Sequence, residues 1–187
     1  MGQDLYRLEP ERCALMVVDI QENLMKVING REAVENNSVL LLKTAKTLGV
    51  SVVATTQYAA RIGEFVAPVR EELRDVQVID KMEFGCFSNQ SVRRAVENLP
   101  NRVDTLVVCG VETHICIYQT VLGGLMEGYR MWVVADAVSS RTKGNHEIGL
   151  ARMRDMGAVI GSTEMVAYEW LGRAGTPQFK ALLPLFK

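Results

Sequence analysis

The stretch DTLVVCGVETHICIYQT (104–120) carries two patterns across one short join. Residues 104–111 are almost continuously apolar, as in a strand buried on both faces of a parallel sheet. Beyond the join the spacing changes: Ile115, Tyr118, Leu122 and Leu125 recur at three- and four-residue intervals, a helical stripe closed by Gly128. A strand running straight into a helix is half of a β-α-β unit, and the pattern repeats on either side. Runs rich in Val and Ile lie at 13–20, 50–56, 76–80, 130–136 and 158–161. Helical stripes fall between them, with Val34, Leu41, Ala45 and Leu48 before Gly49, and Ile148, Ala151, Arg152 and Met156 before Gly157. This alternation predicts an α/β fold with an open parallel sheet, helices on both faces and right-handed crossovers.

The 187 residues contain no internal repeat, low-complexity tract or linker, so one domain spanning 1–187 is expected. At 48% hydrophobic the chain can bury a sizeable core. Lys plus Arg number 21 against 22 for Asp plus Glu, a balance without the basic footprint of a nucleic-acid or anionic-membrane binder. No apolar run approaches the ~20 residues of a membrane span. The opening MGQDLYRLEPER lacks a signal-peptide core, and Tyr6 stands where a myristoylation motif has Ser or Thr. A cytoplasmic protein is expected. The four cysteines, at 13, 86, 109 and 116, read as free thiols rather than a disulfide framework, with Cys13 and Cys109 inside apolar runs as small core residues. The closing segment 172–187 reads as a short terminal helix on its own domain or as a surface for another subunit. Its apolar residues 179–186 favour a homo-oligomer.

In an open parallel α/β sheet, sites form beyond the carboxyl ends of the strands. Asp19, Gln21 and Asn23 follow the first run, and Thr55-Thr56-Gln57-Tyr58 close the second. Asp80-Lys81 lead into MEFGCF (82–87) after the third, Glu112 to Cys116 follow the fourth, and Asp136 to Arg141 the fifth. Asp19 leaves a buried strand directly, so its carboxylate needs a partner or a task. Lys81 can supply the opposite charge. Cys116 reads as lying in the first turn of a helix capped by Thr113, where free N–H groups and the helix dipole favour a thiolate. Taken singly, Asp19 also reads as a turn residue, Lys81 as a solvated lysine and Cys116 as a small hydrophobe. Together they supply a nucleophile, a proton acceptor and a charge stabiliser.

These residues resemble those of the isochorismatase-like cysteine hydrolases, most closely the isochorismatase-domain-containing proteins, over nearly the whole chain. The matching stretches are VVDIQENL (17–24), TTQY (55–58), KMEFGCF (81–87), VVCGVETHICIYQT (107–120) and VVADAVSSR (133–141). LARMRDMGA (150–158) and PQFK (177–180) fit the same subgroup. The resemblance implies a three-layer α/β/α sandwich around a six-stranded parallel sheet in the order 3-2-1-4-5-6. It implies a catalytic triad of Asp19, Lys81 and Cys116, with attack of the thiolate on an amide carbonyl and a thioester intermediate. It also implies a cis peptide between Val111 and Glu112, and oxyanion donors on the amides of Glu112 and Cys116. Substrate contacts are implied at Gln21, Leu24, Gln57, Tyr58, Phe84 and Thr113, with loops 22–32 and 58–66 setting the choice.

Nicotinamidases of this fold carry an Asp-x-His metal cluster after the second strand. This chain has Gln57-Tyr58 there and only two histidines, His114 and His146, so neither a metal nor another cofactor is expected. Isochorismatases proper lack the nucleophilic cysteine, so Cys116 points away from their vinyl ether substrate. Cys86 stands near the lysine motif as a second thiol or a packed loop residue, and His114 either lines the pocket or faces solvent. The resulting expectation is a metal-independent cysteine hydrolase acting on a small amide or related carbonyl compound. A catalytically weak binding or scaffold protein, and a redox-responsive protein using Cys116 with Cys86, are the alternatives.

Overall fold

Six strands follow one another along the chain: β1 (Cys13–Val18), β2 (Ser51–Gln57), β3 (Val78–Lys81), β4 (Thr105–Val111), β5 (Arg130–Ser139) and β6 (Val159–Gly161). All pair in parallel, in the order β3-β2-β1-β4-β5-β6. The structure is a computed structural model that describes residues 7–186. Tyr6 and the segment before it, weighed above for a lipidation or signal motif, lie outside the described residues. The helices are α1 (Glu22–Met25), α2 (Arg31–Leu48), α3 (Ala59–Ile62), α4 (Ala67–Glu72), α5 (Gln90–Glu97), α6 (Tyr118–Met126), α7 (Lys143–Asp155), α8 (Thr163–Leu171) and α9 (Pro177–Leu182).

The period of two along a strand divides the core into two layers. On β1, Cys13, Leu15 and Val17 join α2, α4 and α8 through Leu41, Val69 and Trp170. Ala14, Met16 and Val18 point the other way and join α5, α6 and α7 through Val92, Val121 and Met153. The three-layer sandwich expected from the resemblance is therefore present. Each fully buried aliphatic side chain of this kind contributes about 1.5–3 kcal/mol relative to exposure.

The strand order reverses direction between β1 and β4, which brings their carboxyl ends side by side at the switch point. Gly110 lets these strands close up there. It has φ +123°, and a Cβ on it would stand 1.9 Å from the Val18 carbonyl oxygen. The pairing of β4 with β5 also shifts register between Val108 and Gly110.

The structure departs from the sequence expectation in several places. Ile148, read as part of a buried stripe, is 68% exposed, and α7 turns Gly149 and Met153 inward instead. The reason is proximity: a Cβ at Gly149 would meet the Thr113 methyl at 3.1 Å and the Thr113 and His114 backbone at 3.2 Å, so a bare face suits the close approach to that turn. Strand β5 runs on past Asp136, whose carboxylate accepts from the Thr163 N–H (2.8 Å) and hydroxyl (2.9 Å) and holds the start of α8. Asp136 therefore serves the fold rather than the strand-end site. The C-terminal segment, by contrast, agrees with the reading of a terminal helix on its own domain: the Phe179 and Phe186 rings lie 6.5 and 5.1 Å from that of Tyr168 on α8. Among the described residues, no helix is long and apolar enough to cross a membrane.

Candidate active site

Asp19 is the residue at which β1 ends and the chain turns. Its φ of 56° lies in the left-handed region, which aspartate tolerates better than most residues. Its N–H still donates to the Thr55 carbonyl (3.0 Å), and its side chain is held from two sides. The Thr55 hydroxyl donates to Oδ1 (2.9 Å), and the Lys81 ammonium, arriving from the end of β3, donates to Oδ2 (2.7 Å). Neither Asp19 nor Lys81 has any side-chain exposure. Burial raises the pKa of Asp19, while the Lys81 charge and the hydrogen bonds from Lys81, Thr55 and Cys116 hold it down in part. Burial works against the Lys81 charge, but Asp19, with Cys86 and Cys116, outweighs it and raises the pKa. A carboxylate with enhanced proton affinity is suited to general base work.

Cys116 reaches the same carboxylate from β4. Residues Thr113–Ile117 form a π-helical turn, closed by the Ile117 N–H on the Glu112 carbonyl (3.2 Å), and the regular helix α6 begins only at Tyr118. The sequence reading put Cys116 in a first α-helical turn capped by Thr113. Instead Thr113 is inside the π turn and fully buried, with its hydroxyl 3.0 Å from His146 Nδ1. Cys116 is 6% exposed, the most of the four cysteines. Burial and then the Asp19 charge push its pKa up, with Lys81 opposing. The thiolate that the turn and Lys81 favour is thus opposed by burial and by the adjacent carboxylate.

Cys86 is fully buried, its thiol pushed up to about 11 by burial, and its Sγ lies 3.9 Å from the Thr55 hydroxyl. It packs behind the Asp19–Lys81 pair. Cys13 and Cys109 are buried in the sheet, raised by burial to about 11 and about 12. All four thiols are free.

The residues implied as substrate contacts divide sharply. Tyr58 and Phe84 are 40% and 54% exposed beyond the ends of β2 and β3, and Leu24 is half-buried against the core. Gln21 and Gln57 are buried, and their amides are taken up by protein partners. Gln21 Nε2 donates to the carbonyls of Gln57 (3.1 Å) and Gly63 (2.7 Å), and its Oε1 accepts from the Gln57 N–H (2.7 Å). Gln57 Oε1 accepts from Lys81 Nζ (2.8 Å), and its Nε2 donates to the Met82 carbonyl (2.8 Å).

The Val111–Glu112 peptide is cis, as the resemblance implies. The Glu112 carboxylate accepts from the Arg141 N–H (3.0 Å) and Nε (3.1 Å), tying the end of β4 to that of β5. His114 is half-buried, with Nδ1 2.9 Å from the Ser140 hydroxyl. Loop 22–32 is pinned to the same edge: the Asn29 N–H donates to the Ser140 carbonyl (3.0 Å) and the Ser139 hydroxyl to the Asn29 carbonyl (2.6 Å). These cross-strand links were missed from the sequence because they depend on which strands are neighbours.

A family model described as the isochorismatase domain matches residues 13–165. The chain belongs to the isochorismatase family. Over 186 residues it is 39% identical to the secreted isochorismatase effector Isc1 of Phytophthora sojae, covering 98% of this chain and 88% of that protein. Among solved structures, one described as the MAR1 ribonuclease of Caenorhabditis elegans is 27% identical with a TM-score of 0.89, covering 96% of this chain and 92% of that one. The YcaC protein of Escherichia coli, described as an octameric hydrolase of unknown specificity, superposes with a TM-score of 0.91 at 22% identity, covering 98% and 92%. The family membership and fold support a hydrolase. They do not carry a compartment, since the P. sojae relative is named as secreted. Among the described residues, no three His, Cys, Asp or Glu side chains come together as a metal-holding group.

Proposed function

We propose that this isochorismatase-family protein is a cysteine hydrolase of small amides or related carbonyl compounds, working without a metal through Asp19, Lys81 and Cys116. The observation that carries the reading is the convergence at one sheet edge of a buried carboxylate, its ammonium partner at 2.7 Å and Cys116, the most exposed of the four cysteines, hydrogen-bonded to that carboxylate. As the substrate carbonyl arrives, Asp19 takes the thiol proton while sulfur forms a bond to the carbonyl carbon. The amides of Glu112 and Cys116 receive the oxyanion, at a turn whose first N–H groups lack helical acceptors. Asp19 then returns the proton to the leaving amine as the C–N bond breaks, giving a thioester. Water, deprotonated by Asp19, attacks the thioester, the acid leaves and the thiol is reprotonated. Lys81 keeps Asp19 ionised between these transfers.

The exposed rings of Tyr58 and Phe84, with Leu24, form the proposed wall against the rest of the substrate. The near-neutral charge balance supports a small molecule over a polyanion such as RNA, although the C. elegans neighbour is described as a ribonuclease. Free thiols support a reducing, cytoplasmic compartment. A homo-oligomer is supported by the octameric E. coli neighbour and by the exposed Met165, Tyr168 and Leu185. The test is ammonia release from a panel of small primary amides. The expected result is turnover that survives EDTA and is abolished by Cys116→Ala. Turnover retained by Cys116→Ala overturns the reading, and ligand binding with no turnover of any amide or ester supports the scaffold alternative.

A further inference from the structure

Strand β1 cannot continue its ladder with β2 past Asp19, because the chain turns there with φ 56°. The last main-chain bond is Asp19 N–H to the Thr55 carbonyl. Two residues on, the Gln21 side chain takes over the position the strand vacates. Its amide meets both the N–H and the C=O of Gln57, as a neighbouring peptide group would, and so satisfies main-chain groups that would otherwise be buried without partners.

With its backbone fixed, Gln57 turns its own amide toward Lys81. The amide has a defined orientation: the ammonium can only donate and the Met82 carbonyl can only accept, so Oε1 faces Lys81 and Nε2 faces Met82. The residue type matters as much as the geometry. A buried ammonium needs acceptors beyond its counter-ion. A second carboxylate would compete with Asp19 for the charge, whereas an amide oxygen completes the coordination and adds no charge. Asp19 remains the carboxylate ion-paired with Lys81 among the described residues.

We propose that Gln57 is a positioning residue for Lys81 and that Gln21 acts through it, the two amides forming a relay that holds the ammonium against Asp19. The proposal rests on the hydrolase reading above, in which Lys81 serves Asp19 and Cys116. It reassigns two residues first read as substrate contacts.

The test is the rate of Cys116 alkylation by iodoacetamide from pH 6 to 10, followed by peptide mass mapping, in the wild type, Gln57→Leu, Gln57→Glu and Gln21→Leu. The titratable groups acting on this thiol are Asp19, Lys81 and Cys86. No substrate is needed, so failure of the amide panel leaves this result readable. Both Gln57 variants are expected to slow alkylation at pH 8 about tenfold, equivalent to one pKa unit, as the thiolate loses support from the ammonium. Gln21→Leu shifts the profile the same way by less. Melting curves identify any variant that does not fold, and Gln57→Glu, which keeps the side-chain shape, carries the test if Gln57→Leu fails. An unchanged alkylation profile in a folded Gln57 variant overturns the proposal. So does a rise in KM at constant kcat on any amide the wild type hydrolyses, which would make Gln57 a substrate contact.

Discussion

The Lys81 ammonium lies 2.7 Å from Asp19 Oδ2, and neither side chain meets solvent. Each charge is tolerable only because the other is there. Burying an ion pair gains little over a well-packed apolar pair, but removing one member leaves a charge with nowhere to go. Lys81→Met is therefore expected to cost about 3–5 kcal/mol in denaturant unfolding, and Asp19→Leu a similar amount. The double variant should be more stable than either single one, while remaining inactive. Two single variants that each unfold within about 1 kcal/mol of the wild type would contradict the buried-pair description.

Cys116 should be the first of the four cysteines to react with iodoacetamide, because Cys13, Cys86 and Cys109 are sealed in the core. It should nevertheless react more slowly at pH 7 than an exposed thiol. Burial and Asp19 raise its pKa, so the reactive anion grows as the pH climbs, and the rate should still be rising beyond pH 9. A plateau below pH 8, or earlier labelling of Cys13 or Cys109, is the contrary result.

The buried thiols also tie stability to alkaline pH. Burial raises Cys86 from 9.0 to about 11 and Cys109 from 9.0 to about 12, so the native state keeps protons that the unfolded chain releases. Stability is full below about pH 9 and falls as the pH rises toward the folded values, by about 1.4 kcal/mol per unit for each thiol. Lys81, raised by Asp19, acts in the same direction at higher pH. Urea unfolding under reducing conditions at pH 8, 9 and 10 measures the slope, and Cys109→Val should reduce it. A flat dependence would mean that these thiols are not buried.

Two glycines with positive φ separate crowding from backbone preference. A methyl group on Gly110 would meet the Val18 carbonyl oxygen at 1.9 Å, between the two strands that carry Asp19 and Cys116. Gly110→Ala should destabilise by at least about 3 kcal/mol or yield insoluble protein. Gly128 has φ +87° but open space around it, so Gly128→Ala should lose only about 1–2 kcal/mol. Equal losses would argue against the close approach of β1 and β4.

Much of this architecture was legible in the sequence because strands buried on both faces leave uninterrupted apolar runs. The runs at 13–20 and 104–111 became β1 and β4, and their order fixed which loops could meet. The π turn that carries Cys116 leaves no periodic signature, so it was read as the start of an ordinary helix. Ile148 misled because helical spacing cannot tell that Gly149 is the face pressed against Thr113. The short helices α3 and α4 span too few turns to show a stripe. The roles of Gln21 and Gln57 were out of reach for another reason: they depend on β1 turning away beside β2, a relation between strands rather than a property of either segment. The raised pKa of Cys116 likewise follows from burial depth, which only the packed structure supplies.

In the proposed mechanism Cys116 becomes covalently acylated during turnover. Mixing the protein with an amide that it hydrolyses, quenching in acid within the first turnovers and mapping peptides by mass spectrometry tests this most directly. The Cys116 peptide is expected to gain the mass of the acyl group, lose it on treatment with hydroxylamine, and show a larger adduct fraction when the thioester is made bulky enough to slow water attack. Steady turnover with Cys116 never acylated, or the adduct on another residue with activity intact in Cys116→Ala, would contradict it.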